Sequence, residues 1–352
     1  MKIFYHKADN DGRASAAIIY GEYGVTSMMT EADFIPYDYN RPFELPEIIP
    51  DETWFFVDIA LNPETFEIIK ECLISGCKVI HIDHHRNQEY MDTKMSADEL
   101  AIMDKVIKFY DIRESATLLC WIYVNMPESW RKEPMKHTYE FGPGYSHVIL
   151  DDMTDRLIRI PYGFRLINDQ DVAHKEFKET AEFTAGLIDF AKGPQEYHLP
   201  QIKKLIEKFE GDISPMSNIW GKIQNDDMRL MTAIVTNGQI VLAEEEKEIA
   251  KLRESAKEIA LSVDGEDYKL IAIETDKHGA RIAGDLFEKY DGYCRYNFDE
   301  EIQKWSYSFY SRENEKFVPC HLITREIDPY GGGHLHAGGC VSENLVFADQ
   351  IK

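Results

Sequence analysis

The chain has 352 residues, with 44% hydrophobic and 12% aromatic content, which is enough for real cores and too apolar for a disordered chain. Its 39 Lys and Arg stand against 63 Asp and Glu, a formal net charge of −24 that repels a long polyanion. Extended duplex nucleic acid is therefore excluded as a partner held by charge. No apolar run reaches about 18 residues, so no membrane span is expected.

At this length two domains are expected. Lys2–Tyr5 is an apolar run that stops at His6, with Asp9 and Asp11 just beyond and Gly12 opening a helix over Arg13–Tyr20. Trp54–Val57 stops at Asp58, and Leu61–Lys70 predicts a helix that Gly76 ends. Val79–Ile82 then runs into Asp83-His84-His85. Ser115–Tyr123 predicts an apolar helix packed on a sheet, and Pro127–Pro161 an irregular surface insertion. Phe164–Ile167 predicts a fourth strand-like run, ending at Asn168-Asp169 with Asp171 two residues on. Short apolar runs alternating with helices predict an α/β parallel sheet over residues 1–185.

Residues 186–263 predict a helical linker, with helices over Gln201–Glu210 and Glu244–Ala260. Strand texture returns at Tyr268–Ile273, Gly292–Phe298 and Trp305–Tyr310, with a helix near 279–289, so residues 264–352 predict a smaller α+β domain. It contains the run Gly331-Gly332-Gly333-His334-Leu335-His336-Ala337-Gly338-Gly339. Bare backbone N–H groups in such a run can cradle an anion, with His334 as a further donor and Arg312 as a second contact. The same run is also ordinary turn chemistry. Six scattered cysteines without a C-x-x-C pair predict buried reduced thiols. The N-terminus runs straight into a strand pattern rather than a signal-peptide layout, so a cytoplasmic location is expected.

Ligands of parallel sheets collect beyond the carboxyl ends of the strands. His6, Asp9, Asp11, Asp58, Asp83, His84, His85 and Asp169 all follow such ends. Carboxylates and imidazoles without thiolates favour Mn²⁺, Mg²⁺ or Fe²⁺ over a structural zinc site. So many carboxylates would overcharge one ion, which predicts two metals bridged by Asp58, with a metal-bound hydroxide as nucleophile for phosphoryl hydrolysis.

His6-Lys7-Ala8-Asp9-Asn10-Asp11-Gly12, then Asp58, then Asp83-His84-His85, then Asn168-Asp169 resemble in order the four motifs of the DHH phosphoesterase superfamily. Gly331–Gly339 resembles the glycine-rich motif of its associated C-terminal domain. The resemblance implies two Mn²⁺ ions and phosphoester hydrolysis in a cleft between a parallel-sheet domain and a smaller α+β domain. It implies metal ligation by His6, Asp9, Asp11, Asp58, His84 and a fourth-motif aspartate; Asp169 is preferred over Asp171 because it directly follows the apolar run. It further implies His85 at the scissile phosphate, Asp83 orienting an imidazole, and Gly332, Gly333 and His334 holding a substrate phosphate. His336 stands where relatives more often carry Ala, and a structural role is expected for it.

Within the superfamily, acidity disfavours long-strand exonucleases and the missing spans disfavour membrane-anchored cyclic dinucleotide phosphodiesterases. What remains resembles the NrnB-type oligoribonucleases, which implies cleavage of RNAs of two to five nucleotides, from the 3′ end, to 5′ mononucleotides. The alternatives are a phosphatase on 3′-phosphoadenosine 5′-phosphate, a phosphodiesterase on linear or cyclic dinucleotides, and a non-catalytic nucleotide-binding module. Monomer and homodimer both remain open.

Overall fold

The computed structural model describes the chain apart from residues 25, 40, 42, 87–93, 132–138, 142–145, 151–156, 191–202, 205–212, 264, 312–317, 330, 334, 351 and 352. The chain divides into two compact units, Met1–Leu242 and Ala243–Lys352.

The first unit is built on a parallel sheet of five strands, β1 (Lys2–His6), β2 (Phe34–Tyr37), β3 (Thr53–Val57), β4 (Lys78–Asp83) and β5 (Ile107–Tyr110), in the order β2-β1-β3-β4-β5. The central strands alternate their burial between two apolar layers. Ile3, Tyr5, Phe55, Val57, Ile80 and Ile82 pack into one core, and Phe4, Trp54, Phe56 and Val79 into the other. A strand covered on both faces needs a continuous apolar run, which is how these three were legible. Helices α1 (Asn10–Tyr23) and α4 (Ala116–Asn125) cover the first face, while α2 (Pro63–Ile74) and the short α3 (Ala97–Met103) accompany the second. Asn62 caps α2 by accepting from Thr65 N–H at 2.9 Å, Pro63 opens the first turn, and Gly76 at φ +85° turns the chain back toward β4.

In this unit three expectations change. Phe164–Ile167 is not a strand but the middle of helix α5 (Tyr162–Asp171), which starts directly after Pro161. Its buried Phe164, Ile167 and Asn168 fall at helical spacing on the face turned to the core. The expected irregular insertion carries a small antiparallel sheet of β6 (Tyr139–Phe141), β7 (His147–Leu150) and β8 (Leu157–Arg159), anchored by Val148, Leu150 and Ile158 in the main core. The expected linker over 186–263 is mostly part of the first unit. Helices α6 (Thr180–Phe190), α7 (Asn218–Gln224) and the start of α8 (Met228–Arg253) bury Phe183, Leu187, Trp220 and Ile234 in the same core. The predicted helix over Gln201–Glu210 lies almost wholly outside the described residues.

The second unit begins within α8 and continues as a mixed sheet in the order β13-β14-β12-β11-β10-β9. Its strands are β9 (Lys257–Val263), β10 (Glu266–Glu274), β11 (Gly292–Asp299), β12 (Lys304–Ser311), β13 (Gly332–Gly333) and β14 (Ala337–Ser342). β9 occupies residues assigned above to the linker, because α8 ends at Arg253 rather than running on to Ala260. The helix expected near 279–289 is two 3₁₀ turns, Gly279–Ile282 and Gly284–Glu288. Helix α9 (Cys320–Ile327) packs on the sheet. All six cysteines are buried free thiols, and no described helix is long and apolar enough to cross a membrane.

Candidate metal centre

The carboxyl ends of β1, β3 and β4 lie side by side, since Tyr5 is in register with Val57 and Val57 with Ile82. The next residue of each strand or turn is therefore delivered to one place: His6, Asp58 and the Asp83-His84-His85 triplet. Asp58 sits at φ +56°, in the left-handed region that few side chains other than Asn and Asp tolerate, and its N–H bonds Ile82 O at 3.0 Å. Gly12 lets α1 start against β1, because a Cβ there would come within 1.9 Å of His6 O. Asp9 caps that helix, accepting from Gly12 N–H at 2.9 Å.

Two groups of metal-competent atoms result. In the first, His6 Nδ1 lies 2.8 Å from Asp9 Oδ2 and 3.5 Å from Asp58 Oδ2. In the second, His84 Nε2 lies 3.2 Å from Asp171 Oδ2 and 3.6 Å from Asp11 Oδ2. Asp58 stands between them, its other oxygen 3.4 Å from His84 Nε2 and 3.9 Å from His85 Nδ1. Candidate ligand atoms of His6, Asp9 and Asp58, of Asp11, His84 and Asp171, and of Asp58, His84 and His85 each fall within 4.8 Å of one another.

The surrounding chain holds these groups in place. Both oxygens of Asp11 accept from the start of α4, from Thr117 N–H at 2.7 Å and Ala116 N–H at 2.9 Å. Asp83 accepts from His85 through Nδ1 at 2.8 Å and from His85 N–H at 3.3 Å, so the imidazole it orients is that of His85. Tyr110 donates to His85 O at 2.8 Å.

The preference for Asp169 does not survive the geometry. Its carboxylate accepts from Glu176 N–H at 2.7 Å, Phe177 N–H at 3.3 Å and the Thr180 hydroxyl, and so organises the turn after α5. Asp171, two residues on, is the one beside His84. Asn168 is structural too: its Oδ1 accepts from Ser115 N–H at 2.6 Å and its Nδ2 donates to buried Glu114 at 2.8 Å. That bridge ties the helix bearing Asp171 to the helix start that holds Asp11.

Sequence reasoning missed Glu114, whose carboxyl burial pushes up to about 7, and Tyr39. The Tyr39 ring lies against those of His6 and His85, with centroids 5.2 and 6.5 Å away. Tyr39 is recognisable only once β2 is placed beside β1.

Arg312 and His334 lie outside the described residues. Gly332 and Gly333 are not an open loop but a two-residue strand paired with Gly339 and Gly338. A Cβ on Gly333, at φ +134°, would meet Ala337 O at 2.4 Å. Close backbone packing thus requires a glycine there whatever else it does. His336 contributes its carbonyl, which accepts from Ser311 N–H at 2.9 Å.

The electrostatics call for cations. Burial and the neighbouring Asp58 carboxylate push Asp11 up to about 7. Burial likewise drives Asp171 well above the carboxylate range, against the pull of His84. Burial lowers His6 and His84, but Asp9 and Asp58 around His6, and Asp171, Asp58 and Asp11 around His84, outweigh it and hold both well above ordinary imidazole. Burial would raise Asp83, yet His85 holds it well below its usual range. Asp58 Oδ2 and Asp171 Oδ2 are removed from solvent without a well-formed hydrogen bond. Crowded carboxylates that protonate rather than ionise, with oxygen and nitrogen donors and no thiolate nearby, fit hard or borderline divalent ions.

No protein-family model and no curated protein matches the sequence. Solved structures do. The DHH domain of a member of a family of ribosomal proteins superposes with a TM-score of 0.50 at 13% identity, over 99% of this chain and 84% of that one. A pGpG-specific phosphodiesterase from Vibrio cholerae gives 0.40 at 10% identity, over 100% and 96% of the two chains. An exopolyphosphatase-related protein from Bacteroides fragilis gives 0.42 at 15%, over 99% and 90%. The latter two likenesses are too slight to weigh. The first agrees with the parallel sheet followed by a separate mixed sheet, so the chain shares the fold of that DHH domain.

Proposed function

We propose that the chain is a metal-dependent phosphodiesterase that hydrolyses very short oligonucleotides, of two to five residues, to 5′ mononucleotides, working from the 3′ end with two Mn²⁺ ions. The observation that carries this reading is Asp58, whose two oxygens face two separate ligand groups 3.5 and 3.4 Å away. One carboxylate shared between two clusters is what a two-metal hydrolase needs. His6, Asp9 and Asp58 would hold one ion, and Asp58, Asp11, His84 and Asp171 the other. Such a pair, when bound, makes a water more acidic and offsets charge on the phosphate.

The chain's own groups supply the rest. Asp83 engages His85 at Nδ1, fixing the ring so that its other nitrogen serves the reaction. In hydrolysis the water oxygen bonds phosphorus, the bond from phosphorus to the 3′ oxygen breaks, and that oxygen takes a proton. In the protonated state His85 Nε2 is the donor for it, with Asp83 stabilising the imidazolium. The net charge of −24 favours a short anion gripped locally over a long strand. Phosphate binding by the glycine-rich segment of the second unit belongs to the same proposal.

A turnover panel with Mn²⁺ tests it: pApA, a pentamer RNA, cyclic di-AMP, 3′-phosphoadenosine 5′-phosphate and a long single strand. The pentamer and pApA are expected to be cleaved far faster than the long strand. Equal rates on pentamer and long strand would sink the length preference, and turnover of the bisphosphate alone would replace the diesterase by a phosphatase.

A further inference from the structure

Three ligand-bearing strand ends meet at the metal centre, and the edge strand β2 comes up beside them, its next residue Asp38 lying 4.0 Å from His6 Nε2. β2 ends at Tyr37, in register with His6, and two residues later Tyr39 reaches all three neighbouring strand ends. Its ring lies 5.2 Å from that of His6, after β1, and 6.5 Å from that of His85, after β4. Its hydroxyl accepts a 2.6 Å hydrogen bond from Ala60 N–H, two residues past Asp58 on the turn after β3. Behind it Tyr37 packs edge-on at 5.2 Å and 85°, and is itself fixed by a 2.7 Å bond from its hydroxyl to Glu64. Phe43 closes the stack against Tyr37 at 5.3 Å. The ring is therefore braced from the core side and has little freedom of its own.

What it braces is a strained element. Asp58 adopts φ +56°, a conformation that costs a non-glycine residue about 1 kcal/mol or more unless its surroundings hold it. The turn is held on one side by Asp58 N–H to Ile82 O, at 3.0 Å, and by the Tyr39 hydroxyl on the other. The same side chain touches His6, a member of the first ligand group, and His85, the ring proposed to serve the substrate.

We infer that Tyr39 is a positioning residue, whose hydroxyl fixes the Asp58 turn and whose ring fixes His6 and His85, so that the shared carboxylate and both imidazoles keep one mutual geometry. The inference rests on the metal-centre part of the proposed function and extends it to a residue outside the ligand set. Partners that orient metal ligands in this way typically change metal affinity by about 10–100-fold when removed.

The test is Mn²⁺ titration of the full chain by calorimetry, with thermal melts in EDTA, for wild type, Tyr39→Phe and Tyr39→Leu. Tyr39→Phe keeps the ring and deletes only the bond to Ala60, and is expected to weaken Mn²⁺ binding about tenfold while lowering the metal-free melting point, since the buried Ala60 N–H loses its acceptor. Tyr39→Leu should weaken it further. Wild-type affinity in Tyr39→Phe, or a lowered melting point in both variants with unchanged affinity, would overturn the inference. So would a wild-type chain that binds no Mn²⁺, which would take the proposed function down with it. A wild type that binds Mn²⁺ but cleaves no substrate would sink only the proposed function, since the variants' affinities are read without turnover.

Discussion

Asp58 Oδ1 stands 3.4 Å from His84 Nε2, two buried side chains delivered by neighbouring parallel strands, while the other Asp58 oxygen turns toward His6. The carboxylate is thus the hinge of the whole centre. Asp58→Asn separates its role as a ligand from its role in the backbone, because Asn accepts the left-handed conformation nearly as well as Asp. The variant should fold with an unchanged metal-free melting point or a higher one, as a buried like charge has been removed. Mn²⁺ binding should fall from two ions to one, and turnover by about a hundredfold or more. Calorimetric stoichiometry alongside kcat checks both; two ions retained at full affinity would rule out the shared-ligand arrangement.

Asp169 and Asp171 make a matched pair on opposite sides of α5. Asp169 holds three donors of the following turn, so Asp169→Ala should cost about 1–3 kcal/mol of stability through unsatisfied N–H groups, with Mn²⁺ affinity kept. Asp171→Ala should do the reverse, lowering affinity while leaving the metal-free melting point unchanged or raised. Urea unfolding and Mn²⁺ titration of the two variants separate the roles. If Asp169→Ala lost metal and Asp171→Ala lost stability, the assignment would have to be exchanged.

That pair also shows where the sequence is opaque. Phe164-Arg165-Leu166-Ile167 is four residues long, and over four residues a buried strand and a helix turn look alike. The wider window, with Pro161 before it and buried Phe164, Ile167 and Asn168 at helical spacing, carries the helical signal. Once the segment is a helix, following the apolar run directly no longer decides which aspartate enters the cluster; angular position does. β1, β3 and β4 were legible for the opposite reason, since burial on both faces forces apolar runs that end abruptly in His6, Asp58 and Asp83. Tyr39 and Glu114 carried no signal because their roles depend on contacts between elements far apart in the chain. Gly333 was read for anion binding, whereas tight pairing against Gly338 already demands a glycine there.

Asp83 touches His85 twice and lies 4.0 Å from the buried His81. It belongs to none of the metal-competent groups among the described residues. Asp83→Asn keeps an acceptor for His85 but removes the charge that stabilises its imidazolium. The expected result is a loss of about 10–100-fold in kcat with two Mn²⁺ still bound and KM little changed. Steady-state kinetics on pApA, with metal counted on the same sample, checks it. Loss of a metal ion in this variant would move Asp83 from orienting group to ligand.

The titration pattern of the cluster fixes the sign of a pH effect. Burial and Asp58 raise Asp11 to about 7, so the folded chain holds a proton there that the unfolded chain releases near pH 4. Stability from that group is present below pH 4 and is lost as pH climbs through about 7. Asp171 is raised in the same sense. His6 and His84, also raised, contribute stability below the ordinary imidazole range and lose it as pH rises through their own elevated values. Asp9 and Asp83 are lowered, and their contribution is lost only in acid, below about pH 4. Glu114, raised to about 7 by burial, acts in the same sense, while His81, lowered by burial, opposes it; the raised groups outnumber it, and the metal-free chain should melt at falling temperature as pH rises from 5 to 8. Divalent ions compete with those same protons, so Mn²⁺ should bind better as pH rises and stabilise more, by about 2.7 kcal/mol once its concentration is a hundred times its Kd. Melting points in EDTA and in saturating Mn²⁺ should diverge from pH 5 to pH 8. A gap that stays constant over that interval would mean that the protons released and the metal taken up belong to different groups.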